Sequence, residues 1–205
     1  MNLPNKITLS RVFLVPVFMI FVLPFPEWFT EVGALAFLRP QLSALSRFLN
    51  LYGNYIAAAI FIVAASTDGV DGYIARKRKE VTKFGKFLDP VADKLIVTAA
   101  LIALVQRGDV TGWAAMIIIF RELIVTGFRL VAAGEGIVIA ASKLGKLKTL
   151  LQIIAITMTL LKNFPFDRIT DVKINDYAML IAVLVTIYSG YDYIAKNIEV
   201  IDYNK

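Results

Sequence analysis

Four aspartates in two pairs form the part of the chain whose residue types and spacing are best suited to chemistry. Asp68 and Asp71 stand three residues apart, and Asp89 and Asp93 stand four apart. These spacings put the members of each pair on one face of a helix. Two consecutive helices can therefore direct four carboxylates into one cleft, where two divalent cations would balance their charge. Oxygen-only ligands favour Mg²⁺ or Mn²⁺, so the sequence predicts a two-metal site.

The composition indicates that these aspartates belong to a membrane protein. Of 205 residues, 58% are hydrophobic, and they occur in long apolar runs, which predicts a single polytopic membrane domain over residues 1–205. The chain has no cysteine and no histidine, which excludes Ser-His-Asp triads, cysteine nucleophiles and His/Cys zinc sites. The net charge is +6, but the basic residues cluster in short loops between apolar runs, so we expect no nucleic acid partner.

The apolar runs predict an all-α integral membrane fold with six transmembrane helices. A short amphipathic segment at the membrane surface is expected at residues 1–10, and a loop or interfacial helix at residues 33–50. The six spans are expected at residues 11–25, 52–75, 84–105, 112–133, 146–162 and 176–195.

The positive charges predict the orientation. The strongly basic segments all fall on one side of the six-span alternation, whereas the other loops mix charges of both signs. By the positive-inside rule, both termini and the aspartate site face the cytoplasm. The basic segments are the start with Lys6 and Arg11, the loop with Arg76, Lys77, Arg78, Lys79, Lys83 and Lys86, and the stretch with Lys143, Lys146 and Lys148.

Aromatic residues near the expected span ends are typical of the interfacial belts of membrane proteins. We assign them no chemistry. They are Trp28, Trp113, Tyr177, Tyr188, Tyr191 and Tyr193.

The aspartates also belong to a longer pattern, D-G-x2-A-R-x8-G-x3-D-x3-D, which begins at Asp71, ends at Asp93 and is preceded by Asp68. This pattern resembles the signature of the CDP-alcohol phosphotransferase family. Members of that family are six-helix membrane enzymes that transfer a substituted phosphoryl group from a CDP-linked donor to an alcohol and release CMP. The resemblance implies that Asp68, Asp71, Asp89 and Asp93 hold two divalent cations and that Asp93 is also the general base.

The resemblance also implies a binding site for the CDP group. Gly72, Arg76 and Gly85 would border the nucleotide, together with Thr82. Asn5 and Thr8 are expected to help hold it from the N-terminal segment.

A cationic group farther along the chain predicts an anion pocket. Arg121 and Arg129 are eight residues apart in the fourth expected span and so lie on similar faces, and Lys143, Lys146 and Lys148 follow. Arginine forks match phosphate oxygens and lysine adds a point charge, so these residues are candidates to bind the phosphate of an acceptor. The alternatives are an ion pair with Glu122 or a dimer contact for Arg121, and simple membrane topology for the lysines.

Three further stretches, NLPNKITLSR, FRELIVTGFR and ASKLGKLKTLLQ, resemble bacterial members of the family whose acceptor is sn-glycerol 3-phosphate. The implied reaction joins CDP-diacylglycerol to glycerol 3-phosphate and yields phosphatidylglycerophosphate and CMP. The implied setting is the bacterial cytoplasmic membrane, with lipid around a homodimer.

Two alternatives remain at this point. One is a family member with another acceptor, namely inositol phosphate, phosphatidylglycerol or serine. The other is a divalent-cation transporter, although transporters usually hold their ions near the bilayer midplane and these aspartates flank a basic loop.

Overall fold

The computed structural model describes residues 3–24, 39–78, 83–134, 136–137, 139 and 142–197, and for residues 3–8, 39, 42, 68–78, 83–91 and 93 it describes the backbone only. All regular structure in these ranges is helical. The helices are α1 (Leu3–Val22), α2 (Arg39–Arg78), α3 (Lys83–Gln106), α4 (Gly112–Gly134), α5 (Lys143–Leu160), a 3-10 turn (Phe166–Arg168) and α6 (Ile174–Asn197).

Helices α3 to α6 lie where the apolar runs predict them, within three residues at each end. The largest difference is at the start of α5, which begins at Lys143 and not at 146. Ser142 explains it, because its Oγ accepts a hydrogen bond from the backbone N–H of Gly145 over 3.0 Å and caps the helix. Gly136, with φ of +79°, follows the end of α4 in the left-handed conformation common after helices.

The two N-terminal helices are longer than expected. Residues 3–10 do not form a separate segment but continue into the first expected span as α1, since no glycine or proline interrupts the chain between Asn5 and Val15. Arg11, which we counted among the loop charges, is buried within this helix.

Helix α2 begins at Arg39, thirteen residues before the expected span at 52. Pro40 lies in its first turn, where the missing N–H has no intrahelical partner to lose. The helix therefore includes part of the stretch that we interpreted as a loop or interfacial helix. The rest of that stretch, up to residue 38, lies outside the described residues, as does Trp28.

The chain divides into two compact units, Met1–Arg107 and Gly108–Lys205. In the first unit, α1 packs against both α2 and α3, and Phe18 of α1 meets Phe61 of α2 with 6.3 Å between ring centroids. Arg107 donates from Nη1 to Asn54 Oδ1 of α2 over 2.7 Å and contacts the carbonyl oxygen of Val22 at the end of α1. One side chain thus joins the end of α3 to both other helices of this unit.

In the second unit, α6 packs against both α4 and α5. A buried hydrogen bond from Gln152 Nε2 to Thr186 Oγ1, 2.9 Å long, joins α5 to α6. About two turns farther along α6, Tyr193 packs against Val125 and Phe128 of α4. Tyr193 is only 3% exposed, so assigning it to an interfacial aromatic belt was wrong: its ring completes an internal contact between α4 and α6.

Two described segments are long and apolar enough to cross a membrane, Ser43–Thr67 of α2 and Ile174–Asn197, which is the whole of α6. Helix α4 is also apolar on its outer side, where Trp113, Met116 and Phe120 are exposed. Its charged residues Arg121 and Glu122 instead contact α5 and α6. An exposed apolar surface of this extent is typical of contact with lipid or with another protein.

Candidate active site

Both aspartate pairs lie on helices of the first unit. Asp68 and Asp71 belong to α2, and Asp89 and Asp93 belong to α3. The two helices contact each other and are joined by only four residues, so the pairs flank one short connection. The side chains of all four aspartates lie outside the described part of the structure, and their convergence stays a prediction.

A donor set of four carboxylates on two adjacent helices fits a pair of hard divalent cations. Elsewhere, among the residues whose side chains are described, no three Asp, Glu, His or Cys side chains come together in a way that could hold a metal ion. The aspartate quartet therefore remains the candidate metal site.

The residues expected to bind CDP surround the same connection between α2 and α3. Gly72 and Arg76 follow Asp71 on α2, and Gly85 precedes Asp89 on α3. Asn5 and Thr8 lie in the first two turns of α1, which packs against both of these helices. Thr82, in the connection itself, and the side chains of the other five lie outside the described residues.

The cationic candidates lie in the second unit, and Arg121 is the most enclosed of them in α4. Its side chain is only 11% exposed. Nη2 donates a hydrogen bond to Ser189 Oγ of α6 over 2.7 Å, and Nη1 lies 3.5 Å from Oε1 of Glu122. Nε is buried without a hydrogen-bond partner in the described structure. The guanidinium therefore keeps donor capacity beyond the contacts that hold it.

Arg129, two turns farther along α4, contacts the same helix. Its Nε donates to the hydroxyl of Tyr193 over 3.3 Å, and its Cζ lies 5.4 Å from the centre of that ring. Ser189 and Tyr193 are one turn apart on α6, so both arginines are held along one side of that helix. Two cations held along one side of α6 are candidates to bind an anion.

The lysines separate into two groups. Lys143 and Lys146 are exposed in the first turn of α5. Lys148, the third lysine of this stretch, is 2% exposed, and its Nζ is paired with Oε1 of Glu122 in α4. Glu122 of α4 therefore lies near two cations, Arg121 on its own helix and Lys148 on α5.

A comparison with protein-family models matches residues 1–188 to the CDP-alcohol phosphatidyltransferase family. The chain belongs to this family. The identification made from the aspartate pattern is thereby confirmed, and the enzyme class with it.

The family relatives cover almost the whole chain. A protein of Bacillus subtilis (strain 168), named CDP-diacylglycerol–glycerol-3-phosphate 3-phosphatidyltransferase, is 49% identical over 199 residues, which are 97% of this chain and 96% of that protein. A protein of Rickettsia bellii with the same name is 34% identical over 192 residues, 94% of this chain and 93% of its own. A probable phosphatidylglycerophosphate synthase of Mycobacterium tuberculosis (strain ATCC 25618 / H37Rv) is 37% identical over 195 residues, 95% of this chain and 81% of its own.

In this phosphatidyltransferase, sequence reasoning missed Ser189 and Tyr193, which accept hydrogen bonds from the arginines, and the burial of Lys148 beside Glu122. The ion pair of Arg121 with Glu122, left open as an alternative, is present at 3.5 Å. For Lys148 a signal was present. Gln152, Ile156 and Thr159 follow it at intervals of four, four and three, and all four residues are buried on one side of α5. That periodicity predicts that the side chain of Lys148 lies on the buried face of α5, whereas Lys143 and Lys146 fall outside the pattern. No comparable pattern marks Ser189, whose partner Arg121 lies 68 residues earlier in the chain.

Proposed function

We propose that this chain transfers the phosphatidyl group of CDP-diacylglycerol to sn-glycerol 3-phosphate, giving phosphatidylglycerophosphate and CMP for phospholipid biosynthesis. The observation that carries the proposal is the 49% identity, over 97% of the chain, to the Bacillus subtilis protein named for this reaction. Family membership argues against the alternative of a cation transporter.

The cationic group of the second unit supports an acceptor that carries its own phosphate. A phosphate monoester bears about −1.5 to −2 charges at pH 7. The guanidinium groups of Arg121 and Arg129, both in contact with α6, would supply positive charge to match it. Serine has no phosphate that would use these donors. Lys143 and Lys146, exposed at the start of α5, would add attraction for the phosphate as it approaches.

In the proposed reaction, the carboxylate of Asp93 takes the proton of the acceptor's primary hydroxyl. The hydroxyl oxygen forms a bond to the phosphorus on the diacylglycerol side, and the bond from that phosphorus to the CMP oxygen breaks. Gly72, Arg76, Thr82 and Gly85 would hold the CDP group, with Asn5 and Thr8 from α1. Such positioning is the main requirement of in-line displacement at phosphorus.

Asp68, Asp71, Asp89 and Asp93 would hold two divalent cations, Mg²⁺ or Mn²⁺. When bound, these cations would neutralise the pyrophosphate and the departing CMP. Without them, four adjacent carboxylates would repel both one another and the donor.

The proposed setting is the cytoplasmic membrane of a bacterium, with α1 to α6 as six spans. The two long apolar segments in α2 and α6 support it, together with the apolar outer side of α4. By the positive-inside rule, the basic residues around the α2–α3 connection support a cytoplasmic position for the aspartates and both termini. We also propose a homodimer, as in similar family members.

Purified protein in detergent tests the proposal. With CDP-diacylglycerol and Mg²⁺, we expect CMP release that depends on glycerol 3-phosphate. When glycerol 3-phosphate is replaced by inositol phosphate, phosphatidylglycerol or serine, one at a time, we expect at most trace release of CMP. Faster release with any of these three would assign the chain to another acceptor, and no release with any acceptor would refute phosphatidyl transfer.

A further inference from the structure

Glu122 stands between two cations that it does not hold equally. The single oxygen Oε1 is closely paired with Nζ of Lys148, while Nη1 of Arg121 remains 3.5 Å away, too far for a hydrogen bond of good geometry. The carboxylate oxygen thus contacts the lysine of α5 and keeps only a longer ion-pair contact with its neighbour in the chain.

The ion pair between Glu122 and Lys148 is expected to add little net stability to the contact between α4 and α5. Lys148 is 2% exposed, and the side chain of Glu122 is 17% exposed. Removing two charges from water costs about as much as their attraction returns, and apolar residues of similar volume often serve stability as well or better. The pair is therefore better explained by what it does to the residue beside it.

Arg121 is that residue. Oε1 of Glu122 already lies 3.5 Å from Nη1 of Arg121, so without Lys148 the carboxylate would close on this guanidinium and occupy donors that a phosphate needs. With Lys148 in place, the charge of Glu122 is balanced from α5. Arg121 is then held by the neutral hydroxyl of Ser189 and keeps its own positive charge for a ligand.

We infer that Lys148 is a positioning residue of the acceptor site, which keeps the carboxylate of Glu122 off Arg121 so that Arg121 can bind the acceptor phosphate. This inference rests on the proposed function, since it takes glycerol 3-phosphate as the anion. Lys148 itself need not touch the substrate.

The test compares Lys148→Met with the double variant Lys148→Met, Glu122→Gln. In the single variant we expect the KM for glycerol 3-phosphate to rise about tenfold or more, the effect of one lost charge-assisted hydrogen bond. The KM for CDP-diacylglycerol should stay within about twofold of the wild-type value, because the donor does not use Arg121. The double variant should return the acceptor KM to within about threefold of the wild-type value, since it removes the carboxylate that Lys148 restrains.

The matched control is Lys196→Met, which breaks the exposed ion pair between Lys196 and Asp192 on α6, 2.6 Å long, and should change neither KM. An unchanged acceptor KM in Lys148→Met would overturn the inference. So would an equal rise in both KM values, or a double variant as impaired as the single one.

Thermal unfolding in detergent shows whether each variant is folded. If Lys148→Met is not, the exchange variant Glu122→Lys, Lys148→Glu decides, because it keeps an ion pair between α4 and α5 and still holds a carboxylate away from Arg121. An acceptor KM within about threefold of the wild-type value supports the inference, and a tenfold rise overturns it. Failure of the wild-type protein to use glycerol 3-phosphate would instead refute the proposed function. The wild-type assay therefore tests the proposed function, and the variants test the role of Lys148.

Discussion

Arg121 donates a hydrogen bond from Nη2 to Oγ of Ser189 over 2.7 Å, and this contact ties α4 to α6 across the second unit. The serine is 1% exposed and the arginine side chain 11%. A buried cation whose Nε has no hydrogen-bond partner in the described structure is suited to bind an anion. The first two predictions concern this contact.

Ser189→Ala should weaken the binding of glycerol 3-phosphate. Without the hydroxyl, the guanidinium loses the contact that fixes its position, and we expect the acceptor KM to rise about threefold to tenfold, equivalent to one hydrogen bond. Steady-state kinetics with each substrate varied in turn measures this effect. Ser43→Ala, which removes an exposed hydroxyl bonded locally to the Pro40 carbonyl oxygen, is the control. A larger effect on the donor KM would argue against an acceptor role for Arg121.

Gly190→Ala should displace the stem of Arg121. A methyl group at Gly190 would lie 3.1 Å from Cγ of Arg121, closer than ordinary van der Waals contact, so the arginine must shift by a few tenths of an ångström. We expect a rise of about tenfold in the acceptor KM, because small misplacements of a binding group carry large penalties. Gly127→Ala on α4 is the matched control, since a methyl group there meets no atom within 4 Å. Equal kinetics in the two variants would contradict the prediction.

Gly53→Ala should destabilise the first unit. A methyl group on Gly53 of α2 would lie only 2.5 Å from the carbonyl oxygen of Phe21 in α1, so the two helices would have to move apart. Overpacking of this kind costs about 1–3 kcal/mol. The midpoint of thermal unfolding in detergent should fall relative to both the wild type and Gly127→Ala. An unchanged midpoint would mean that α1 and α2 are not packed this closely.

Asp93→Asn should abolish turnover while largely sparing the binding of CDP-diacylglycerol. The amide cannot take the acceptor's proton, and loss of a general base costs about 10² to 10⁴ in rate. CMP release measures turnover, and retention of the donor measures binding. Asp171→Asn, at an exposed position between α5 and α6, should be fully active. Near-normal turnover of Asp93→Asn would remove Asp93 as the base.

Removal of divalent cations should stop the reaction reversibly. Treatment with EDTA should reduce CMP release to background, because four uncompensated carboxylates would repel the pyrophosphate of the donor. Mg²⁺ or Mn²⁺ added in excess should restore the rate. Full activity after exhaustive chelation would contradict the assignment of the four aspartates as metal ligands.

The apolar runs located α3 to α6 well because the hydropathy of a run is a local property of about twenty consecutive residues. At the start of α2 they left a loop or an interfacial helix open, because Arg39, Pro40 and Arg47 lower the local hydropathy. The structure has helix from Arg39, since the first turn of a helix accepts proline. The apolar runs failed at α1, where the change from mixed to apolar residues near Arg11 was interpreted as a boundary. Helical backbone continues through such a change because polarity by itself does not break a helix.

The sequence by itself determined the family and the residues proposed for the chemistry, because the aspartates and glycines are separated by fixed numbers of residues along two consecutive helices, and such spacing is a property of the linear chain. Only the tertiary structure decided which cations lie inside the second unit. Lys143, Lys146 and Lys148 are nearly equivalent in a short basic stretch, yet only the third reaches Glu122. Which lysine is buried depends on the face of α5 that packs on α6, and the pairing of Arg121 with Ser189 depends on the same packing between distant parts of the chain.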